Sequence, residues 1–379
     1  MNVLQLVSAT RPDAQGRASV TGPERRAASI APRLPNEGIT PYLAYPSRGL
    51  LWGAMKAVGI NLIDYEAAGK FDFAAPTKIS RIAKDINAAL IHSQGPGSLD
   101  AAACIAGLIA RKPVVITRPV MIEDIVMYSR LRRRIYALID RLIVMRLATR
   151  IVAVSEAGLR HLIAISGAQR TRVTLVHNGA PIKSFRARSH TTSHGAAGEP
   201  PVVLGMIGHL LSYKGWDDFL NVIAALRKAG LNVRGEIVGE GEERPRLQVL
   251  ARALDIERHV EFLGYRTDVA DILQRFDILL FTSHREGLSM AVIEAMASGL
   301  PIIASAVGGI HEQIDEGTNG YVVPTKDIAA FSAMAATLVR DPGLRAKMGD
   351  ASRARAIAMF DEDRMLREYA DLYRAVTRA

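Results

Sequence analysis

Along the chain, short unbroken apolar runs alternate with longer stretches in which apolar residues recur every three or four positions. The runs read as strands buried on both faces, and the periodic stretches read as helices. Val3 to Ser8 is the first run, and a polar loop over 10–22 follows it. Gly22-Pro23-Glu24-Arg25 then opens a helical stretch. Ala88 to His92 and Pro113 to Thr117 are two further runs, with a small-residue helix over roughly 99–110 between them. Ile151 to Glu156 gives a strand with a cap, and Val173 to Gly179 gives another. Strands alternating with helices predict parallel βαβ units, so the first half is expected to be a Rossmann-like domain. Residues 186–200 carry no apolar period and read as a linker. A strand over 202–207, a loop through Lys214 and Gly215, and a helix from Trp216 open a second α/β domain. The expected division is a first domain over 1–185, the linker 186–200, a second domain over 201–360 and a last helix within 361–379. That helix carries Leu366, Tyr369, Leu372 and Tyr373 at helical spacing.

The clearest unit is 276–309. Asp277 to Thr282 is an apolar run without a helical stripe, Ser289 is a plausible N-cap, and Met290 to Ser298 is rich in helix formers. Gly299 and Pro301 stop the helix, and Ile302 to Ser305 is a second strand. A strand–helix–strand unit of this length crosses over right-handed and gives parallel strands. Its loop 283–289 is therefore expected at the carboxyl edge of the sheet, where open α/β sheets bind ligands. Glu286 lies in that loop and Glu294 about a turn and a half into the helix. A helix N-terminus favours a phosphate, and carboxylates accept hydrogen bonds from sugar hydroxyls. One anion cradle with two hydroxyl-binding groups suits a nucleotide sugar. On spacing alone, both glutamates could equally be solvated surface charges.

Composition narrows the class. The chain has 379 residues and is 49% hydrophobic, enough for two full cores and too much for disorder. Its one cysteine, Cys104, excludes an internal disulfide, and the N-terminus shows no secretory signal, so a reducing cytoplasm is expected. No apolar run approaches the roughly 20 residues of a spanning helix. Charge is unevenly divided: residues 1–185 carry 25 Lys+Arg against 12 Asp+Glu, and residues 186–379 carry 23 against 26. The first half is therefore expected to meet an anionic surface or substrate. Seven arginines fall within 130–150, interleaved with Leu131, Ile135, Leu138, Ile139, Leu142 and Met145. A basic amphipathic helix of this kind suits an anionic membrane face; an ordinary surface helix with its stripe in the core is the alternative.

Glu286-Gly287, Glu294-Ala295-Met296-Ala297, Gly299, Pro301 and Val307-Gly308-Gly309 with Glu312 resemble the signature of the retaining nucleotide-sugar glycosyltransferases of family 4. The likeness continues through Gly317, Gly320 and Val322-Val323. It implies the GT-B fold: two Rossmann-like domains with parallel sheets facing across a cleft. It also implies a sugar moved from a nucleotide-diphosphate donor, most readily a UDP-sugar, with retained configuration and neither metal nor cofactor.

By the same likeness Lys214 matches a diphosphate-clamping lysine, while His209 stands where an arginine is usual. Gly208, Arg266 and the backbone of Gly287, Leu288 and Ser289 fall on the donor side. Glu286 is matched to the donor sugar and Glu294 to the ribose. On the acceptor side, Gly22 opens a loop similar to the family's glycine-rich one, with Pro23 replacing its second glycine. Arg118 occupies a place where many members have histidine, and an arginine is no general base. His92, ending a strand, is a second acceptor-side candidate; a structural histidine is the other reading. The expected partners are the nucleotide sugar, a glycan or lipid-linked acceptor such as lipopolysaccharide, and the anionic inner face of the cytoplasmic membrane, not nucleic acid. A soluble transferase with a small acceptor and a silent nucleotide-sugar-binding protein are the alternatives.

Overall fold

The computed structural model describes residues 1–8, 22–66, 72–94, 98–119, 130–164, 168–188, 193 and 195–378, with the backbone alone over 130–133. The expected loop over 10–22 lies outside the described residues except for Gly22. The chain forms two compact units, Met1–Asn178 together with Glu362–Ala379, and Gly179–Asp361.

The first unit is built on seven strands: β1 (Asn2–Leu6), β2 (Thr40–Tyr45), β3 (Asn61–Asp64), β4 (Leu90–Ser93), β5 (Val114–Arg118), β6 (Arg150–Ala153) and β7 (Val173–Leu175). All pair in parallel in the order β3-β2-β1-β4-β5-β6-β7. The central strands β4 and β5 are buried along their whole length, which is why they read as continuous apolar runs. The helix Ser98–Ala110 buries nine residues, most of them alanine or glycine, and lies close on the sheet. Gly107 is required there, since a Cβ would meet the Val114 side chain at 2.2 Å. The other face is covered by the last helix, Glu362–Arg378, whose Leu366, Tyr369, Leu372 and Tyr373 pack with Val3, Leu90, Val115 and Val152.

The arginine-rich stretch forms the helix Arg130–Ile139, then a π turn over Asp140–Val144, then a short helix Met145–Leu147 leading into β6. A π turn needs a local cause. Here Asp140 turns inward to pair with the buried Arg118.

The second unit carries β8 (Val202–Ile207), β9 (Val233–Val238), β10 (Val260–Gly264), β11 (Ile278–Phe281), β12 (Ile302–Ser305) and β13 (Gly320–Val323), all parallel in the order β10-β9-β8-β11-β12-β13. Successive connections run one way from β8 and the other way from β11. The switch point of the sheet therefore lies between β8 and β11. The helix Met290–Ala297 joins β11 to β12 and begins as the sequence predicts, with the Ser289 hydroxyl accepting from Val292 N. Among the described residues no helix is long and apolar enough to cross a membrane.

One expectation needs correction. The described part of 186–200 is packed on the second unit and does not run free. Arg188 is buried, with its guanidinium 2.9 Å from Asp277 and its backbone N–H on Ser298 O at 3.0 Å. Gly195 O accepts from Asn232 N at 2.6 Å, and Arg345 donates to Ser193 O. A polar stretch without apolar period is held here by hydrogen bonds and one buried ion pair, neither of which leaves a periodic signal.

Arg188 generates the first prediction. Asp277 also accepts from Val203 N at 2.8 Å, at the start of β8, so the pair ties this segment to the sheet. Removing one partner of a buried pair costs about 3–5 kcal/mol. Arg188→Met is expected to lower the denaturant midpoint of the second unit and to open 186–200 to protease. An unchanged midpoint would contradict the assignment.

Candidate functional site

The expected donor residues gather on loops that leave the carboxyl edge of the second sheet. Three of these loops are joined backbone to backbone. Gly208 N donates to Val238 O at 2.9 Å, and Gly239 N donates to Gly264 O at 2.8 Å. Leu210 N then donates to Glu240 O at 3.0 Å. Gly239 has φ +143°, and a Cβ there would lie 1.8 Å from Gly208 O. Glycine is the residue that permits both the conformation and the approach.

Across the switch point, the loop after β8 meets the loop after β11. Gly215, at φ +71°, lies against Thr282 O, which also blocks any Cβ, at 1.9 Å. The Thr282 hydroxyl donates to Gly215 O at 2.7 Å, and His284 N donates to Tyr213 O at 2.9 Å. This registry brings Lys214 Nζ to 2.6 Å from Glu286 Oε2. Lys214 lies beside two rings, 5.5 Å from the centre of Tyr213 and 5.8 Å from that of Phe281. Burial works against its charge, but Glu286 outweighs that and holds the lysine pKa above its ordinary value. The site thus contains a committed cation and a carboxylate, both partly reachable by solvent. His209 sits on the same loop, half-buried, and its carbonyl accepts from Trp216 Nε1 at 2.9 Å.

The loop after β12 closes the third side. Gly309 N donates to Gly287 O at 2.7 Å, and a Cβ on Gly308 would lie 1.9 Å from Glu286 O. Glu294 is buried in the helix Met290–Ala297, at 7% exposure. The N-terminus of that helix differs from expectation in one respect. Ser289 N is taken by Gln313 Oε1 at 3.2 Å, while Gln313 Nε2 donates to Ser289 O at 2.8 Å. The fully buried Gln313 therefore clamps the cap residue, and Ser289 N–H is engaged inside the protein. Leu288 is buried beside it. Arg266 lies two residues beyond the edge strand β10, itself two strands from β8, and is exposed and forked onto Asp268 at 2.8 Å. Sequence reasoning passed over Gln313 and the His284–Asp218 pair at 2.7 Å, because a lone glutamine or aspartate carries no pattern.

The three acceptor-side candidates lie in the first unit, and two of them are internal. Arg118 is buried between Asp140 and Asp100 Oδ2, the latter at 3.3 Å. Two carboxylates already satisfy the cation that was expected to meet an acceptor anion. Burial pushes Asp100 up to about 6 in spite of Arg118 and a 2.6 Å hydrogen bond from Ser93. His92 has Nδ1 2.6 Å from the Tyr373 hydroxyl and Nε2 2.8 Å from the Thr117 hydroxyl. Both ring nitrogens are used inside the core, and the ring packs at 5.5 Å from Tyr369. The structural reading of His92 is the one this geometry supports. Gly22 begins the helix Gly22–Ile30 and is exposed.

The family description for glycosyl transferases group 1 matches residues 190–355, and that for glycosyltransferase family 4 matches residues 20–183. An uncharacterized glycosyltransferase of Haemophilus influenzae is 38% identical over 148 residues, which are 39% of this chain and 42% of that protein. The N-acetyl-alpha-D-glucosaminyl L-malate synthase of Bacillus anthracis is 31% identical over 172 residues, 45% of each chain. The chain thus spans less than half the length of these two relatives. HepE of Anabaena, solved in complex with UDP-glucose, superposes with a TM-score of 0.82 over 99% of this chain and 100% of its own, at 21% identity.

The His92 geometry makes a prediction. Burial, and then the nearby Arg26 cation, push its pKa down to about 3. With labelled histidine, the resonance lost in His92→Gln is expected to stay at the neutral-imidazole position from about pH 8 to about pH 4.5, below the usual value near 6.5. A titration centred near 6.5 would show that the ring meets solvent.

Proposed function

The chain belongs to the family 4 glycosyltransferases and has their GT-B fold, and we propose that it moves a sugar from a nucleotide-diphosphate donor held by its second unit. The observation that carries this reading is the Lys214–Glu286 pair at the switch point, set among backbone loops that only glycine allows to come so close. A diphosphate brings more negative charge to Lys214 than one carboxylate does. In this reading the donor displaces Glu286 as the partner of Lys214, and the released carboxylate turns to the hydroxyls of the donor sugar. Glu294 takes the ribose hydroxyls, and His209 adds a second hydrogen-bond donor toward the diphosphate, where its ring gives one bond in place of an arginine's fork.

The transfer breaks the bond between the anomeric carbon and the diphosphate and forms one from that carbon to an acceptor oxygen. The acceptor proton passes to the departing phosphate oxygen. This path retains the anomeric configuration, and Lys214 with the loop N–H groups supplies the positive field that a metal would otherwise give. The preferred donor is a UDP-sugar, the class held by HepE in its crystal.

The proposed acceptor is a lipid-linked or envelope glycan, such as lipopolysaccharide, met at the anionic inner face of the cytoplasmic membrane. Support comes from the basic first half and its exposed apolar helix face. A small acidic acceptor is a second reading, favoured by the malate in the name of the Bacillus anthracis relative. A silent sugar-nucleotide binder is less well supported. Arg118, one of two departures that favoured it, is a buried structural residue and leaves the donor side intact.

Nucleotide release over a panel of nucleotide sugars tests the activity, with glycan and small-acid acceptors compared side by side. Glu294→Ala is expected to weaken UDP binding by about 1.5–3 kcal/mol, the worth of a charged hydrogen bond, while the thermal midpoint is kept. Calorimetry with unchanged affinity would remove Glu294 from the site. His209→Arg is expected to tighten UDP binding and to flatten its pH dependence between about 5 and 8. No gain at the upper end of that range would place His209 outside the clamp.

A further inference from the structure

The helix Arg130–Ile139 and its π turn present an apolar face to solvent. Ile135 is 42% exposed, Leu138 57% and Leu142 48%. These residues follow one another at helical spacing, and Leu147 comes five positions after Leu142, the spacing that a π turn brings to one side. The neighbouring helix Ser98–Ala110 adds Leu108, 61% exposed, and Ile109. Leu108 and Leu147 together line a shallow cavity of about 330 Å³ whose wall includes Arg111 and Lys112. Five large apolar side chains exposed on two neighbouring helices of one unit are more than scattered exposure explains.

On the described residues of the two segments that carry this face, 98–119 and 130–155, the exposed charges are of one sign. Over 98–119 and 130–155 the acidic residues are Asp100 and Asp140. Both are drawn inside against Arg118, so neither reaches the surface. Arg111, Arg134, Arg141 and Arg146 are exposed. The buried triad thus has a consequence outside the core: it draws the acidic residues of both segments inward and holds the turn that carries Leu142. An apolar stripe flanked by exposed arginines fits a surface that is anionic at headgroup level and apolar just below, which an acidic protein partner does not offer over such a width.

We infer that this face, formed by Ile135, Leu138, Leu142, Leu108 and the arginines around them, seats the first unit on an anionic lipid bilayer. The inference deepens the membrane reading above and names the residues that would enter the interface. Arg118 becomes a positioning residue that acts through Asp140 and the π turn.

The test is sedimentation of the full chain with vesicles of phosphatidylcholine alone and of an equal-part mixture with phosphatidylglycerol. Three variants are compared: Leu138→Asp with Leu142→Asp, the triple Arg134→Ser, Arg141→Ser and Arg146→Ser, and Arg118→Met. The first two change exposed positions, so unchanged circular dichroism and thermal midpoint are expected. Wild-type protein is expected to pellet with the mixed vesicles and to be released by salt. Each basic residue near anionic lipid is worth about fivefold in partitioning, so the triple variant is expected to lose about a hundredfold. The leucine variant is expected to stay in the supernatant. Arg118→Met is expected to weaken partitioning while the outward-facing residues are all kept.

Equal binding to both vesicle types, binding to neither, or undiminished binding by the leucine and arginine variants would overturn the inference. So would a wild-type dimer, seen by light scattering, that the leucine variant abolishes, since the face would then join copies of the chain. UDP affinity is measured on the same samples. Its loss in wild-type protein would sink the donor reading without touching the sedimentation result, and its survival alongside failed sedimentation would sink the docking alone.

Discussion

The candidate donor side of this protein depends on how closely the backbones of separate loops can approach at one edge of a parallel sheet. Four contacts set it: Gly239 against Gly208 O, Gly241 against Leu210 O, Gly215 against Thr282 O and Gly308 against Glu286 O. In each, a Cβ would come within 2.4 Å of a carbonyl oxygen. No rotamer change relieves such a clash, because both sides are main chain. The glycines therefore fix the loops relative to one another, and the functional side chains inherit their places. Lys214 meets Glu286 because Gly215 seats its loop on Thr282, and Glu286 stays in reach because Gly308 lies beneath its carbonyl.

That mechanism explains what was legible in the sequence. Interior parallel strands read directly: 202–207 and 302–305 match the observed β8 and β12 at both ends. The helix Met290–Ala297 also read well, because its cap, its formers and its stop are all local. Strands β2 and β3 went unread. β2 begins Thr-Pro and mixes tyrosine with apolar residues, and β3 is four residues long with polar ends. Neither shows a clean run. The residues 186–200 were misjudged for a related reason: what orders them is Arg188 on Asp277 and carbonyls on distant donors, contacts that depend on the finished fold. Gln313 escaped notice in the same way, since its role exists only once Ser289 lies beside it.

The first unit shows how a strongly basic half-chain keeps a stable core. An arginine that is 3% exposed needs counter-charge, and Arg118 takes two carboxylates to get it. One of them, Asp100, remains poorly solvated even so, as its raised pKa records. Beside this cluster, the His92 network solves the opposite problem with a neutral ring between two hydroxyls. Histidine and arginine at strand ends looked alike as acceptor-side candidates because position, not burial, was what the sequence could report. Burial separates them from chemistry: each is engaged inside the core, His92 by Tyr373 of the last helix and Thr117, and Arg118 by Asp140 of the π turn and Asp100.

Under the proposed function, the Lys214–Glu286 pair has a further consequence for ligand entry. Burial opposes the charge on Lys214, while Glu286 and the two ring faces support it. Glu286 keeps the lysine charged and so preserves a cation for an incoming phosphate. The same contact must then yield. Because the pair is partly open to solvent, its net strength is modest, and a multiply charged phosphate can outbid a single carboxylate for the lysine. In that reading the carboxylate is released when the phosphate is in place. Charge kept on Lys214 and oxygen freed on Glu286 would then be two outcomes of one exchange, coupling occupancy by the anion to readiness of the group beside it.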